Sequence, residues 1–342
     1  MRILCDHPNT EEKIILENGY VLKISKKGIS DKIRNEAVFY ENLKNINHPI
    51  KKHFPKFYGY EIENQTNKLK LEYLKNYKTL SSYLLENGQF SYIDGCLIGI
   101  ADKITKFILL LARSKKPDID QVKLFEQFYF IRPRKRLVEL CKDTSFNNLV
   151  KFQKIYINGK VFDNVNNYFK ILDRHNKLLN QQQYSSFFHG DLHFENILLR
   201  KNRGLKLVDP NGIIIGLISY DIGKLLHSII GKYDFIQNYR YKLNALGQNK
   251  FNFSVQTNKN HTIFSEMLAN ALQNNIDKLL MLQSYFACWS HMISLIPHHI
   301  KNGKDQALAF YLQSFSSFKL NVVFFQKPNG NLSRNMPDTE NP

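Results

Sequence analysis

Three oxygen-bearing side chains between positions 188 and 212 have a spacing that suits chemistry. Asp191 follows a His-Gly pair, Asn196 comes shortly after it, and Asp209 lies beyond the next two apolar runs. An amide oxygen and a carboxylate suit a hard cation such as Mg²⁺, and a further carboxylate can accept a proton. The set therefore supplies a candidate base, Asp191, and two candidate metal ligands, Asn196 and Asp209.

The residues around Asn196 and Asp209 have the pattern of a β-hairpin. Apolar runs at 196–200 and 205–209 flank turn residues at 201–204, and the turn ends in Gly. If Arg200 pairs with Leu205, Asn196 lies opposite Asp209, with Cβ atoms roughly 4.5–5.5 Å apart. The pattern thus predicts two metal ligands facing each other. An ordinary hairpin preceded by a polar loop is the alternative.

Two charged residues near the N-terminus occupy positions where apolar residues are expected. Lys23 interrupts a strand pattern at 20–25, and Glu36 falls on the apolar stripe of a helix predicted to begin near Asp31. A buried charge needs a partner, so we expect Lys23 and Glu36 to pair. Glu41 is the alternative carboxylate.

The elements that must position these residues divide the chain into two parts. Strand patterns at 13–17 and 20–25 flank Asn18-Gly19, a strong hairpin turn, and residues 68–74 alternate like a further strand. After about residue 90 the apolar period becomes helical. Helices are predicted from near Thr79 and at 93–113, 125–141, 162–179, 276–295 and 305–318.

The run His189-Gly190-Asp191-Leu192-His193, with Asn196 and Asp209, resembles the catalytic core of the protein-kinase-like phosphotransferases. It is most similar to the aminoglycoside phosphotransferase/choline kinase family, which phosphorylates small molecules. The resemblance implies an α+β fold of two lobes, with a small antiparallel-sheet N-lobe at 1–75 and a mainly helical C-lobe at 76–325.

The resemblance also implies a role for each candidate residue. Asp191 accepts the proton of an acceptor hydroxyl or orients it, while Asn196 and Asp209 hold one or two Mg²⁺ ions on the nucleotide phosphates. Lys23, positioned by Glu36, neutralises phosphate charge. ATP or GTP is the phosphoryl donor.

Two further assignments come from the resemblance alone. The backbone at Glu72 and Leu74, where a strand leaves the N-lobe, binds the purine, although a plain interdomain linker is the other interpretation. Asp221, in the first turn of a predicted helix, braces the backbone of the catalytic loop. The loop at 6–12, expected over the phosphates, contains no Gly and so departs from the protein-kinase pattern.

The motifs favour a small-molecule acceptor over a protein substrate. Protein kinases usually have His-Arg-Asp and Asp-Phe-Gly where this chain has Gly190 within its loop and Asp-Pro-Asn-Gly at 209–212. Residues 221–228 also resemble phosphotransferases associated with capsule and surface-polysaccharide genes. The expected acceptor is therefore a sugar or a sugar-like alcohol.

Composition indicates a globular, cytoplasmic protein. The 342 residues are 43% hydrophobic, the four cysteines are widely spaced, and the N-terminus does not have the pattern of a signal peptide. The apolar stretch at 96–112 is too short and too charged to span a membrane. Residues 326–342, which are rich in Pro and Asn, are predicted to be a disordered tail. Neither pattern nor composition indicates an oligomeric state.

The net charge of +18 favours an anionic partner, such as an acidic sugar derivative, over a polycationic acceptor. A basic excess spread over the solvated surface is the plainer interpretation. Two rival functions remain at this stage. A pseudokinase scaffold would bind nucleotide without catalysis, and a nucleic-acid-binding protein would show steep salt dependence, although no nucleic-acid motif is present.

Overall fold

The computed structural model describes residues 2–5, 12–26, 28–86, 94–112, 121–179, 187–200, 204–212 and 215–325. The loop predicted to cover the nucleotide phosphates, apart from Glu12, and the predicted tail at 326–342 lie outside these residues.

The first part of the chain is an antiparallel sheet with one long helix. Its strands are β1 (Arg2–Cys5), β2 (Glu12–Glu17), β3 (Tyr20–Ser25), β4 (Phe57–Glu63) and β5 (Thr66–Glu72), and the helix is α1 (Asp31–Asn45). The strand order is β1-β2-β3-β5-β4. Asn18 and Gly19 have positive φ angles of 48° and 79°, so the predicted tight turn joins β2 to β3.

The remainder of the chain is mainly helical. Together with the antiparallel sheet of the first part, this gives the predicted α+β class. A π-helical stretch, Glu126–Ile131, continues directly from α4 into α5, and short 3₁₀ turns lie at Pro49–His53, Phe194–Asn196 and Ile300–Asn302. The helices are α2 (Leu80–Leu85), α3 (Asp94–Ala112), α4 (Gln121–Phe125), α5 (Arg132–Leu140), α6 (Thr144–Lys151), α7 (Val165–Arg174), α8 (Asn176–Leu179), α9 (Ile218–Ile229), α10 (Tyr233–Gln237), α11 (Lys259–Asn275), α12 (Lys278–His299) and α13 (Lys304–Phe325).

Two small sheets lie within this helical part. The strands are β6 (Lys78–Thr79), β7 (Lys154–Ile157), β8 (Lys160–Asp163), β9 (Ile197–Arg200), β10 (Gly204–Leu207), β11 (Tyr241–Gly247) and β12 (Lys250–Val255). One sheet has the order β10-β9-β6 and carries the candidate site hairpin. The other has the order β11-β12-β7-β8, with β12 parallel to β7, and was not predicted.

The predicted helix at 162–179 is wrong at its start. Residues 162–163 end β8, and Asn158-Gly159, with φ angles of 51° and 74°, turns β7 into β8. Asn164 then caps α7 by accepting a hydrogen bond from the N–H of Asn166 at 2.7 Å. A second Asn-Gly turn signal thus competes with the helical period and prevails.

Helix α12 runs through the centre of the helical part. Trp289, Met292, Ile293 and Ile296 are all fully buried. Among the described residues, the segment Lys278–Asn302 is the one long and apolar enough to cross a membrane, but 78% of its most apolar window is buried inside the protein. Its hydrophobicity is accounted for by the core.

Candidate active site

The loop that carries Asp191 is fixed by α9. The Asp221 carboxylate accepts hydrogen bonds from the backbone N–H groups of His189 and Gly190, both at 2.8 Å. Two turns further along α9, the Ser228 hydroxyl accepts a hydrogen bond from the N–H of Phe194 at 3.2 Å. The contact predicted for Asp221 is therefore present, and α9 holds the loop at both ends.

The His189 ring fixes the loop from inside. Burial lowers the pKa of His189 to about 4, so its ring is neutral at pH 7. Its Nδ1 accepts the N–H of Asp191 at 3.2 Å, which leaves Nε2–H to donate to the carbonyl of Val208 at 2.9 Å. One imidazole thus joins the catalytic loop to the strand β10.

The surroundings of position 190 explain why a glycine occupies the place of the usual Arg of protein kinases. Its φ angle is +79°, and a Cβ there would lie 2.5 Å from the Cβ of Asn211. The loop therefore packs against the segment after β10 in a backbone conformation that favours glycine.

Asp191 is surrounded by positive or hydrogen-bonding groups. The Nζ atom of Lys224 lies 2.8 Å from Asp191 Oδ1, and Nε2 of His193 lies 3.4 Å from Oδ2. The Asn196 side-chain N–H₂ donates to the Asp191 carbonyl at 2.8 Å. Burial favours the neutral acid, but Lys224 and His193 outweigh it and hold the pKa of Asp191 well below its usual value.

Lys224 is a site residue that the sequence analysis missed. It lies three residues after Asp221 on α9, and residues at this spacing share one face of a helix. Once Asp221 is placed against the catalytic loop, the helical period alone would have brought Lys224 to the same loop.

The hairpin register differs from the predicted one. Arg200 pairs with Gly204 rather than with Leu205. The N–H of Val208 donates to the carbonyl of Asn196 at 3.1 Å, so Asn196 does not lie directly opposite Asp209. A shift of one residue moves side chains to the other face of a ladder, so the metal-ligand argument cannot rest on direct opposition.

The physical reason lies at Gly204, which was assigned to the turn. In the structure Gly204 opens β10, and a Cβ there would lie 2.6 Å from the Tyr77 hydroxyl oxygen. The glycine lets the Tyr77 ring pack against the strand, and the ladder closes one residue earlier. Asp209, just beyond β10, has a φ of 57°, a left-handed conformation that is uncommon outside glycine and often occurs at functional sites.

The predicted Lys23–Glu36 pair is present. Lys23 Nζ lies 2.9 and 2.8 Å from the two carboxylate oxygens of Glu36, and both side chains are buried. Glu41, the alternative partner, is exposed on α1. Lys23 also forms an ion pair with Asp209, so a strand of the sheet contacts the end of the hairpin.

The charges of this cluster stabilise one another. Burial opposes the ammonium charge, but Asp209 and Glu36 outweigh it and raise the pKa of Lys23. Burial likewise opposes the charge of Asp209, whereas Lys23 and Lys32 lower its pKa. Burial raises the pKa of Glu36 to about 7 although Lys23 opposes this, so at neutral pH the Lys23 ammonium lies between the Asp209 carboxylate and a partly protonated Glu36.

A close backbone approach brings α1 to the hairpin. A Cβ on Gly212, whose φ is +79°, would lie 2.4 Å from the Cβ of Asn35. Asn35 precedes Glu36 in α1, so the contact that needs a glycine at 212 also places the Glu36 turn near Asp209. The structure thus brings Lys23, Glu36 and Asp209 into one cluster.

Glu72 and Leu74, the predicted hinge residues, lie at the end of β5 and just after it. Glu72 ends β5, and its N–H donates to the carbonyl of Lys56 at 2.9 Å. Leu74 follows in the connection to β6, and its carbonyl accepts the N–H of Tyr77 at 3.2 Å. Their role in purine binding stays a prediction.

The donor set of Asn196 and Asp209 is compatible with Mg²⁺. Asn196 is buried and uses its amide nitrogen on Asp191, so its oxygen is the end of the amide that suits a hard cation. The Asp209 carboxylate already holds the positive charge of Lys23. One amide oxygen and one carboxylate suffice when water and phosphate complete the shell.

One segment of the chain is similar to a known protein family. Residues 145–246, which contain the catalytic loop, the hairpin and α9, match the sequence model described as the phosphotransferase enzyme family. No match was found among curated protein sequences.

Two solved structures are similar to this chain. Choline kinase LicA from Streptococcus pneumoniae superposes with a TM-score of 0.52 at 12% identity, over 92% of each chain. Spectinomycin phosphotransferase APH(9)-Ia, solved with ADP and spectinomycin, gives a TM-score of 0.45 at 12% identity, over 93% of this chain and 88% of the other. The likeness to LicA shows a common fold. The segment 145–246 is thus similar to the phosphotransferase enzyme family, and the chain shares the fold of LicA.

Proposed function

We propose that this protein transfers the γ-phosphate of ATP or GTP to a hydroxyl of a small sugar or sugar-like acceptor, with Mg²⁺ as cofactor. One observation carries the proposal. Lys23, paired with Glu36, contacts Asp209 at the end of the hairpin, and the same hairpin follows directly from the loop of Asp191. A phosphate-binding cation, a metal ligand and a catalytic carboxylate thus converge.

The reaction needs little covalent chemistry from the protein. The acceptor oxygen forms a bond to the γ-phosphorus while the bond from that phosphorus to the β–γ bridging oxygen breaks, and ADP or GDP leaves. The hydroxyl proton passes to Asp191 or to solvent. Because positioning and electrostatic stabilisation supply most of the rate enhancement, this small set of residues suffices.

Each residue has one task in this scheme. Lys23 neutralises phosphate charge and is kept in place by Glu36. Asn196 and Asp209 would hold Mg²⁺, which supplies charge neutralisation on the phosphate oxygens. Asp191, kept ionised by Lys224, orients the acceptor hydroxyl and receives its hydrogen bond. The backbone at Glu72 and Leu74 binds the purine.

The proposed acceptor class is inferred from the net charge and from the sequence of residues 221–228. The net charge of +18 disfavours a cationic acceptor, and the 221–228 segment supports a role in capsule or surface-glycan assembly in the cytoplasm. A panel of neutral, acidic and cationic alcohols tests this choice. Preference for a cationic amino alcohol would contradict it.

The catalytic proposal is tested by Mg²⁺-dependent nucleotide binding and hydrolysis. We expect slow hydrolysis by the wild type and a loss of about a hundredfold in Asp191→Ala and in Asp209→Ala. Asp102→Ala is the matched control, because Asp102 pairs with Lys106 on the exposed face of α3. A wild type that neither binds nor hydrolyses nucleotide would overturn the proposal. Binding without turnover on any acceptor would instead favour a pseudokinase scaffold.

A further inference from the structure

We propose that Arg132 and Lys224 form an anion subsite that holds a carboxylate or phosphate group of the acceptor beside Asp191. The inference rests on the proposed function and names the chemical class of its acceptor. It is carried by Lys224, which contacts Asp191, and by Arg132, which contacts the Tyr220 hydroxyl one turn earlier on α9.

Lys224 has donor capacity that Asp191 alone does not use. Its Nζ lies 2.8 Å from Asp191 Oδ1, and its side chain is only 17% exposed. Burial opposes its charge, but Asp191 outweighs burial and raises the pKa of Lys224, so it is an ammonium with three N–H donors. Asp191 is the carboxylate that pairs with it within the described part of the chain.

Arg132 differs from the neighbouring arginines of α5. Arg134 pairs with Asp173 at 2.6 Å, and Arg136 pairs with Glu139 at 2.5 Å. Arg132 instead donates from Nη1 to the Tyr220 hydroxyl at 2.5 Å, and no carboxylate of the described residues forms an ion pair with it. A half-buried guanidinium with five donors and only a phenol as partner suits an external anion.

The two cations belong to one cluster. Tyr220, the partner of Arg132, lies four residues before Lys224 on α9, so the two side chains share a helix face. Arg132 opposes the larger effect of Asp191 on the pKa of Lys224. Burial and then both cations lower the pKa of His291, whose ring centroid lies 4.2 Å from that of Tyr220. Like charges held together destabilise the free protein, and a bound anion would relieve this repulsion.

This cluster lies apart from the phosphate-binding cluster. Lys23 pairs with Glu36 and Asp209, whereas Lys224 pairs with Asp191 and Arg132 contacts Tyr220. With the nucleotide assigned to the Lys23 side, the remaining cations meet the other reactant, which is the acceptor.

Charge counting favours an anionic acceptor. Arg132 and Lys224 contribute two positive charges and Asp191 contributes one negative charge, which leaves one positive charge unbalanced. A choline-like or aminoglycoside-like cation would be repelled here. An alcohol that carries a carboxylate or a phosphate group would be attracted, and Arg132 can bind either group with two parallel hydrogen bonds.

The test is calorimetric titration of the full-length protein, loaded with Mg-ADP, with two matched pairs of probes. D-Glucuronate is compared with D-glucose, and glycerol 3-phosphate with glycerol, so that carboxylate and phosphate are distinguished. We expect at least one anionic probe to bind about tenfold more tightly than its neutral partner. Arg132→Gln and Lys224→Met should each remove most of this preference, and Arg132→Lys should restore part of it.

Lys135→Gln is the matched control, since it removes one exposed positive charge from the same helix. Thermal melts of each variant separate loss of binding from loss of fold. Equal affinity within both pairs, no binding of either anionic probe, or a preference that survives both Arg132→Gln and Lys224→Met would overturn the subsite. Failure to bind Mg-nucleotide, with the anion preference and its dependence on Arg132 intact, would refute the proposed function but not the subsite.

Discussion

At the scale of single residues, the most informative signal was a charge in an apolar context. Lys23 and Glu36 could be paired from the sequence because each lacked a partner in its own element and each was expected to be buried. The third member of the cluster, Asp209, could not be joined to them by pattern. Its contact with Lys23 depends on how α1 docks against the hairpin at Gly212.

The pair makes a direct prediction. Glu36→Gln removes one of the two carboxylates that pair with Lys23. Breaking a buried ion pair typically costs about 3–5 kcal/mol of stability, and because Asp209 remains as a partner we expect the lower end of this range. We expect the free energy of unfolding to fall by about that amount and Mg-nucleotide affinity to fall about tenfold or more. Urea unfolding and nucleotide titration check both values. Glu41→Gln, on the exposed face of α1, should change neither, and equal effects of the two substitutions would count against the assignment.

At the scale of elements, α9 organises the catalytic loop. Asp221, Lys224 and Ser228 follow the helical period, and they contact, in turn, the loop backbone, the Asp191 carboxylate and the N–H of Phe194. Only the first of these contacts was predicted, and it came from a family resemblance. Helical phase relative to a neighbour depends on packing, which the sequence pattern of one element does not contain.

Asp221 and Ser228 allow a graded test of this helix. Asp221→Ala deprives two buried backbone N–H groups of their acceptor, at a cost of about 1–3 kcal/mol each, whereas Ser228→Ala removes one longer hydrogen bond. We therefore expect Asp221→Ala to accelerate amide hydrogen exchange across 188–194 and to reduce nucleotide hydrolysis strongly, with a much smaller effect of Ser228→Ala. Unchanged exchange in Asp221→Ala would show that the loop is held by other contacts.

Short strands limited what could be predicted at this scale. β7 and β8 have four residues each, and β12, the second partner of β7, is about ninety residues away in sequence. A short apolar run cannot be distinguished from a helix start by periodicity, which is why residues 162–163 were assigned to a helix. Long apolar helices such as α12 and α13 were predictable, because their apolar character is sustained over several turns.

At the scale of the whole molecule, buried neutral histidines link the fold to pH. Burial lowers the pKa of three almost fully buried histidines to about 4, and each ring bonds a polar group on another segment or turn. His189 joins the catalytic loop to β10, His261 joins α11 to α9, and His299 contacts Gln306 of α13. Protonation of these rings would place charges inside three separate junctions of the core.

Acid should therefore unfold the protein at a mildly low pH. The folded-state pKa values of His189, His261 and His299, about 4, lie below the ordinary histidine value of about 6.5. Their stabilising contribution is complete above about pH 6.5 and is lost as the pH falls toward about 4. Between these limits the three rings let the unfolded chain bind up to three more protons, which contributes a fall of as much as about 4 kcal/mol per pH unit to the free energy of unfolding. Burial raises the folded-state pKa of Glu36 and of Asp221 to about 7, and these two groups act in the opposite direction. Urea titrations between pH 7 and pH 5 measure this slope, and His261→Asn should reduce it by about 1.4 kcal/mol per pH unit. An equal slope in the wild type and in His261→Asn would show that this ring does not contribute to the pH dependence of stability.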